Sequence, residues 1–356
     1  MKKYNFLYLR SFLAITLLFV VSFFTSCSND DSGVSTTTTI TSVNRALNTP
    51  TDGSPVEIDV PVEMGYPNTT YFIHGTGFST LKKIYFNGVE SYFNPTMVTD
   101  NVIVVTIDED TPYENASSEL KIVTSFGTVV YHFVIAPPAP VLTKGFSPVN
   151  AADGSIMTIY GNFFLDPIVT FGTIPATVIS NSLTEIKVTV PVGADKQYVT
   201  VKTISGSVTS SYAVGTAIYD DESYYGLDFP SWNNHTYESD GNADQGLVYI
   251  KKSMGAWDSL QGNWGWYDQI APYKGIRLSI KASVAGTVKL VFNGNWDVTD
   301  KNMMTVTQGW NTFEFTWAEL GDADHVQNIS FQNMSKSGAD GIANTIYIDN
   351  IGFVLK

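Results

Sequence analysis

The segment YFIHGTGF at residues 71–78, followed by IYFNG at 84–88, decides the fold class because it recurs. About 85 residues later the chain has MTIYGNFF at 157–164, followed by VTFG at 169–172. Further short runs of Val, Ile, Thr and Tyr follow in each copy, at 103–107, 120–124 and 128–133 in the first and at 186–190, 198–203 and 207–214 in the second. Short β-type runs between Gly, Pro, Asn and Asp turns, repeated at a fixed offset, predict two β-sandwiches of one type in tandem.

The repeated glycines, Gly75 and Gly161, stand where one strand ends and the next begins, and they predict a tight turn with positive φ. The order strand, G-x-x-F, strand resembles the opening of the immunoglobulin-like IPT/TIG domain. This resemblance covers about half of the chain and implies two spacer domains, at residues 42–136 and 137–215. The proline-rich stretch at 136–140 between them predicts an extended linker that holds the two sandwiches apart.

The N-terminal residues 1–26 indicate a signal peptide, because Lys2, Lys3 and Arg10 accompany an apolar run too short to span a membrane. Cys27, the only cysteine, follows small residues in a pattern that resembles the lipobox of bacterial lipoproteins. The resemblance implies that Cys27 is acylated and becomes the new N-terminus. An ordinary secretory signal with an unmodified cysteine is the alternative.

The sequence SNDD at 28–31 resembles the surface-export signal of Bacteroidota lipoproteins. It implies a protein anchored in the outer membrane by lipid and facing the cell exterior. Residues 27–41 are rich in Ser and Thr and predict a flexible stalk after the acylated cysteine.

The composition restricts the class of ligand. The net charge is −14, which argues against nucleic acid, because affinity for nucleic acid comes largely from neutralising phosphates. The same charge disfavours polyanionic glycans, so a neutral polysaccharide fits best. With Cys27 acylated, the mature chain has no thiol for a disulfide, a metal site or a nucleophile.

The last region, residues 216–356, differs from the repeats because it contains all seven tryptophans. Its alternating runs predict a jelly-roll-like β-sandwich, with strands at 247–251, 275–282, 287–292, 311–317, 328–332 and 345–353. In the second of these, Ile276, Leu278 and Ile280 share the core face, whereas Arg277, Ser279 and Lys281 share the outward face. Trp310 and Trp317 lie at the start and end of one strand and are predicted to be structural.

Four tryptophans do not fit a core row and lie in Gly-containing segments at strand ends: Trp257, Trp264, Trp266 and Trp296. An indole stacks on the apolar C–H face of a pyranose, while amides and carboxylates bind its hydroxyls. Exposed indoles of this kind therefore predict glycan binding, with Asn263, Asn295 and Asp297 as polar partners. The alternative is that these rings fill gaps beneath long loops, and Trp232 fits either interpretation.

Residues 217–222 and 346–353 resemble the first and last strands of many carbohydrate-binding modules. In those modules acidic residues of the two termini often share a structural Ca²⁺, and here Asp220, Glu222 and Asp349 would supply its oxygen ligands. The alternative is that they are solvated turn acids. No other cofactor is expected.

The whole architecture resembles the surface glycan-binding lipoproteins of the "B" type that accompany Bacteroidota glycan importers. This resemblance implies capture of a neutral polysaccharide, a β-1,3- or mixed-linkage β-glucan in our interpretation, and partnership with the importer and its lid lipoprotein. Two alternatives are an adhesin that binds a protein or matrix partner and a glycoside hydrolase. A hydrolase needs two paired carboxyl groups, and the last region has only four glutamates: Glu222, Glu238, Glu314 and Glu319.

Overall fold

The computed structural model describes residues 37–48, 54–263, 270–297 and 300–356. Within these ranges the protein consists of β-strands and two single-turn 3-10 helices, Ser231–Asn233 and Asp300–Asn302, so the all-β prediction is confirmed. None of the helices in these ranges has the length and hydropathy to cross a membrane. The predicted signal peptide and Cys27 lie outside the described residues.

The described chain forms two compact units. The first unit extends to residue 111 and includes residues 117–134, and the second comprises residues 112–116 and 135–356.

The first unit is a sandwich of two main sheets, with strand orders β2-β1-β4-β8-β7 and β10-β9-β5-β6. The strands of this region are β1 Thr39–Asn48, β2 Glu57–Pro61, β3 Met64–Gly65, β4 Thr70–Thr76, β5 Leu81–Phe86, β6 Val89–Ser91, β7 Phe93–Val98, β8 Val102–Thr106, β9 Glu119–Thr124, β10 Gly127–His132 and β11 Val134–Ile135. Strand β1 begins at Thr39, within the segment assigned to the stalk. Tyr71 and Ile73 alternate into the core on β4, as the 2-residue period requires.

The second sandwich lies in the second unit and has two four-stranded sheets, with orders β12-β13-β17-β16 and β15-β14-β18-β19. Its strands are β12 Val141–Ser147, β13 Ile156–Asn162, β14 Ile168–Phe171, β15 Ile174–Pro175, β16 Thr177–Asn181, β17 Glu185–Thr189, β18 Tyr198–Thr203 and β19 Gly206–Ala213. Buried apolar residues from both sheets, among them Met157, Ile159 and Phe171, form one core.

The glycines that open the G-x-x-F motif serve close packing rather than positive φ, whereas Gly77, Gly88 and Gly172 of the same repeats have positive φ. A Cβ on Gly161 would lie 2.1 Å from the Val141 carbonyl oxygen and 2.2 Å from the Phe164 ring. In the first sandwich a Cβ on Gly75 would lie 1.9 Å from the Thr39 carbonyl oxygen. Neither residue has a positive φ, so our prediction about backbone conformation was wrong at these positions. Glycine is required because the neighbouring strand leaves no room for a side chain.

The third sandwich packs a seven-stranded sheet against a four-stranded one. The large sheet has the order β21-β20-β32-β23-β22, with β25 joining β32 to β28, and the small sheet has the order β24-β29-β26-β27. The strands of this domain are β20 Ala217–Asp220, β21 Glu222–Ser223, β22 Thr236–Glu238, β23 Tyr249–Met254, β24 Ser259–Gln261, β25 Tyr273–Ala282, β26 Gly286–Phe292, β27 Met303–Val306, β28 Asn311–Thr316, β29 Ile329–Asn333, β30 Lys336–Ser337, β31 Asp340–Gly341 and β32 Asn344–Leu355.

All six strands predicted for this domain are present, and the largest displacement is at β23. The sequence predicts a strand at 247–251, but β23 begins at Tyr249. The backbone N–H groups of Leu247 and Val248 donate to Oδ1 of Asp221, both at 2.6 Å, instead of to a neighbouring strand. The side chain of Asp221 therefore sets the start of the strand.

Within the second unit, polar side chains from the second and third sandwiches meet in a buried network. Oδ2 of Asp220 accepts a hydrogen bond from the Val149 N–H at 2.7 Å, and its Oδ1 accepts one from Nε2 of Gln245 at 3.0 Å. The hydroxyl of Tyr212 donates to Oε1 of Gln245. Burial raises the pKa of Asp220 to about 6. The two sandwiches are thus joined by hydrogen bonds between specific buried groups.

Arg277 belongs to the same region and corrects a prediction of surface exposure. It lies on the face of β25 away from the core, as the alternation predicts, yet only 3% of it is exposed. Its guanidinium lies 4.5 Å from the ring centroid of Tyr212 in the second sandwich. Nη1 donates to Oγ1 of Thr216 at 3.2 Å, and burial lowers the pKa of Arg277 to about 10. The sequence pattern of one strand cannot show that a second domain covers its outer face.

We predict that Gly161→Ala lowers the free energy of unfolding of the second unit by about 3 kcal/mol, because the added methyl group overlaps a backbone carbonyl. Gly309→Ala is the matched control, since a Cβ there meets only an atom 3.9 Å away and φ is not positive. Urea unfolding of both variants measures the difference. Equal stability of the two variants would contradict the packing role of Gly161.

We predict a pH dependence for Asp220. Because its folded pKa is about 6 and its unfolded value 3.8, the folded protein binds more protons between these values. Stability relative to Asp220→Asn therefore falls by about 2 kcal/mol as pH rises from 4 to 6, and levels off above about pH 7. Urea unfolding of both proteins across this range measures the change. A gain in relative stability with rising pH would indicate a depressed pKa and contradict the assignment.

Candidate functional site

The small sheet of the third sandwich has one face in the core and one face that points away from it. Leu260, Phe331 and Leu290 lie opposite one another in register and are fully buried in the core. The side chains between them point the other way, and one row across all four strands consists of Ser259, Gln332, Lys289 and Met303. We call this second face the outer face of the small sheet. Gln332 and Met303 of this row are partly exposed, whereas Ser259 and Lys289 are buried.

Lys289 is fully buried although it lies on the outer face. Its ammonium donates a hydrogen bond to the backbone carbonyl of Asp297, so the loop after β26 folds back over the sheet. Burial lowers the pKa of the Lys289 ammonium, because a charged group loses solvation there. The lysine thus fixes the position of the loop 293–297.

The loop 293–297 is also braced by its own asparagines. Oδ1 of Asn295 accepts a hydrogen bond from the Asp297 N–H at 3.1 Å. Nδ2 of Asn293 donates to the His325 carbonyl at 2.9 Å, and its Oδ1 accepts from the Gln327 N–H at 2.7 Å. These bonds hold the loop from both sides.

Trp296 is carried by this loop and is 41% exposed. The flanking residues Asn295 and Asp297 are exposed as well. All three residues that the sequence predicted for this loop are therefore exposed.

Trp257 is 43% exposed and lies in the turn before β24, with φ of 65°. A Cβ on Gly341 would lie 2.8 Å from its indole, so the ring is packed against that backbone. Nζ of Lys336 is 5.3 Å from the ring centroid. The carbonyl of Trp257 accepts a hydrogen bond from Nε2 of Gln332, at 3.1 Å, and Gln332 belongs to the outer face. Trp257 is thus a fixed, partly open ring beside that face.

Asn263 is exposed just beyond β24, and its backbone forms an antiparallel bridge with Asp228, with N···O distances of 2.8 and 3.1 Å. Trp264 and Trp266, the other two predicted platforms, lie outside the described residues. They follow Asn263 directly in the sequence.

Trp232 is the tryptophan that the sequence did not assign, and at 59% it is the most exposed of those described. It lies in the 3-10 turn Ser231–Asn233, next to the edge strand β24. The sequence around Trp232 does not show whether its ring is exposed. Pro230 and the two asparagines near it indicate a loop, but they do not indicate what the loop packs against.

Trp317 is structural, as predicted, whereas Trp310 is partly exposed and contacts surface groups rather than the core. Trp317 packs against the core with its ring centroid 6.1 Å from that of Phe292, and its Nε1 donates to the Tyr273 carbonyl at 2.8 Å. Nε1 of Trp310 donates to the Asn242 carbonyl at 2.9 Å, and Nζ of Lys281 lies 4.4 Å from its ring centroid.

The three carboxylates proposed for Ca²⁺ do not form one ligand set. Asp220 and Asp349 are buried, but their oxygens accept hydrogen bonds from N–H groups of the protein. The backbone N–H groups of Asp244 and Gln245 both donate to Oδ2 of Asp349. Glu222 is exposed. Across the described ranges no three His, Cys, Asp or Glu residues are placed to hold a metal ion. These residues therefore do not fit a bound Ca²⁺.

The glutamates of this domain do not form an acid pair on the outer face. Glu238 is paired with Lys251 at 3.4 Å. Glu319 accepts two hydrogen bonds from Thr316, which lower its pKa, whereas a catalytic acid needs a raised one. Glu222 and Glu314 are exposed. The carboxyl groups with raised pKa, Asp220 and Asp349, are buried with their oxygens bonded to the protein.

Comparison with known proteins identifies one domain and several similar structures. Residues 140–218 match the IPT/TIG domain, which confirms the predicted type of the second sandwich. A surface glycan-binding protein from Prevotella bryantii is 16% identical, with a TM-score of 0.48, and the match covers 90% of this chain and 99% of that one.

Two further solved structures are similar at lower scores. One is a surface glycan-binding protein from a complex xyloglucan utilization locus in Bacteroides uniformis, 17% identical, with a TM-score of 0.33, covering 90% of this chain and 100% of that one. The other is a variant of a family 29 carbohydrate-binding module, 20% identical, with a TM-score of 0.27, covering 39% of this chain and 89% of that one. Among curated proteins no match is found.

We predict that Lys289→Met frees the loop 293–297 without unfolding the domain. Loss of the ammonium removes the bond to the Asp297 carbonyl, while the apolar side chain avoids the cost of a buried charge. Hydrogen exchange at the Asn295 and Asp297 amides should become about tenfold faster or more, with global stability unchanged or higher. Unchanged exchange at these two amides would contradict the role of Lys289.

Proposed function

We propose that this chain is a surface glycan-binding protein that captures a neutral polysaccharide on the outer face of the small sheet and does not cleave it. The observation that carries the proposal is the set of open, firmly held indoles around a polar sheet face. Trp257 and Trp296 are each more than two-fifths exposed. The ring of Trp257 packs against the Gly341 backbone, and the loop that carries Trp296 is held by Lys289.

The energetics of stacking support a glycan as the ligand. A sugar ring that covers about 100 Å² of apolar surface on one indole contributes ~2 kcal/mol at ~25 cal/mol/Å². Two or three such platforms, less the cost of association and of ordering a flexible chain, leave micromolar-to-millimolar affinity. Such an affinity suits capture of a long chain that must later be released.

The charge distribution favours a neutral ligand. Asp297 and Asp258 flank the two tryptophans, and the chain carries a net charge of −14. A polyanionic glycan would be repelled, whereas the hydroxyls of a neutral chain can donate to these carboxylates. We infer a β-glucan, β-1,3- or mixed-linkage, because an equatorially linked chain presents flat C–H faces to successive indoles.

The remaining parts of the proposal rest on the N-terminal sequence. Acylation at Cys27 would anchor the protein in the outer membrane, and the IPT/TIG-type sandwiches would act as spacers that carry the glycan site away from the membrane. Delivery would be to an outer-membrane importer with its lid lipoprotein. An adhesin that binds protein is the second candidate, but protein-binding faces usually mix Trp with Tyr, Arg and Met.

We predict retardation of the purified protein in native gels that contain β-1,3-glucan or mixed-linkage β-glucan, and no retardation by a polyanionic glycan such as alginate. Trp296→Ala and Trp257→Ala should each weaken binding at least tenfold, because each removes one stacking platform. Tyr92→Ala is the matched control, since Tyr92 is an aromatic residue of the first sandwich that is 82% exposed. It should bind as the unmodified protein does.

The same gels and a reducing-sugar assay separate the alternatives. Xyloglucan, mannan and xylan belong in the panel, because binding to one of them would correct the linkage and leave the class of function intact. Release of reducing sugar would indicate a hydrolase. Binding to no polysaccharide of the panel, with a protein partner recovered instead, would support the adhesin and overturn the proposal.

A further inference from the structure

Trp232 is exposed, but the turn that carries it is tied to the edge strand β24 by several hydrogen bonds. Its neighbour Asn233 is fully buried, and the side-chain amide of Asn233 pairs with the backbone of Gln261 in β24. Nδ2 donates to the Gln261 carbonyl at 2.9 Å, and Oδ1 accepts from the Gln261 N–H at 2.8 Å. The amide of Asn233 thus replaces the peptide group of a neighbouring strand.

A second attachment lies a few residues earlier. The backbone of Asp228 forms the antiparallel bridge with Asn263, just beyond the end of β24. Nδ2 of Asn233 also donates to the Pro230 carbonyl at 2.9 Å, which closes the turn. The segment 228–233 therefore extends the small sheet beyond its edge strand, and Trp232 is mounted on that extension.

Holding an exposed indole on a fixed backbone segment costs free energy unless something covers the ring. Exposing the apolar surface of an indole to water is unfavourable, and fixing the backbone around it costs conformational entropy. Asn233 and Gln261 hold this ring at the edge strand of the same sheet whose outer face carries the loop with Trp296. Both costs are offset if Trp232 stacks on the ligand of that sheet.

The layout of the strands sets the direction of that ligand. From β26, which leads into the Trp296 loop, the sheet order passes through β29 and β24 to the segment 228–233. Three inter-strand steps of about 4.8 Å give about 14 Å. This is the lateral separation of the backbone segments that carry Trp232 and Trp296, and it exceeds the length of one sugar ring. A ligand that contacts both residues would therefore be a chain of several sugars laid across the strands.

Resting on the proposed function, we propose that Trp232 forms an outlying subsite of the glycan-binding face, so that the polysaccharide runs across the strands and long chains are selected over short ones. Asn233 is the positioning residue of this subsite. The subsite explains why a tryptophan, rather than a polar residue, occupies an exposed position of the turn.

Isothermal titration calorimetry with a graded series of β-glucan oligosaccharides, from disaccharide to octasaccharide, tests this inference. Trp232→Ala should leave the affinity for the shortest oligosaccharide that binds unchanged and weaken the affinity for the longest by about tenfold. Trp232→Phe keeps an apolar ring and should retain most of the affinity for the longest. Tyr92→Ala is the control and should bind all lengths as the unmodified protein does.

The outcomes separate this inference from the proposed function. If the unmodified protein binds β-glucan but Trp232→Ala binds every length equally well, the subsite does not exist. An equal loss at all lengths would place Trp232 beside the central sugars and overturn the cross-strand direction. If Trp232→Phe loses as much as Trp232→Ala, ring stacking is not the cause. Absence of binding by the unmodified protein to any glycan would overturn the proposed function itself.

Discussion

The hydrogen bond from the buried ammonium of Lys289 to the Asp297 carbonyl is the interaction on which the candidate site depends. A lysine in the middle strand of a sheet would ordinarily extend into solvent. Here it is covered by the loop it holds, and the loop carries Trp296 with two polar neighbours. A buried charge is costly unless it is well paired, so the loop and the lysine constrain each other. The loop that carries Trp296 is therefore held to the outer face of the small sheet.

The rest of the third sandwich supplies the frame for this face. Its core side is a continuous apolar layer, so the outward row of Ser259, Gln332, Lys289 and Met303 cannot turn inward without a change of register. The opposite, large sheet is engaged with the second sandwich through Arg277, Gln245 and Asp220. One sheet of the domain therefore contacts the neighbouring domain, while the other sheet carries the open indoles. This division lets the second sandwich be attached without covering the candidate site.

Much of the fold follows from sequence pattern alone. The alternation of Ile276, Leu278 and Ile280 against Arg277 and Lys281 predicted both the strand and its core face. The alternating row that ends at Trp317 predicts a structural tryptophan. The internal repeat predicts an IPT/TIG domain at 137–215, and residues 140–218 match that domain. These features depend on neighbours within a few residues or on a repeated motif, which a single sequence displays.

The features that escaped prediction depend on contacts between distant segments. Nothing near Leu247 indicates that Asp221 will accept its N–H and delay the strand. Nothing near Asn233 indicates that its amide will pair with Gln261, and so Trp232 could not be assigned. The repeat indicates that Gly161 is important. The reason that glycine is needed there is the close approach of the Val141 carbonyl, which depends on how the strands pack. Sequence therefore located the tryptophans, and the fold determines which of them are open.

A crystal structure of the protein with a bound β-glucan hexasaccharide tests the central claim most directly. We predict sugar rings stacked on the indoles of Trp257 and Trp296, with hydroxyls bonded to the polar side chains around the outer face of the small sheet. Density for the oligosaccharide on the large sheet or on either spacer sandwich, with both indoles left uncovered, would contradict it.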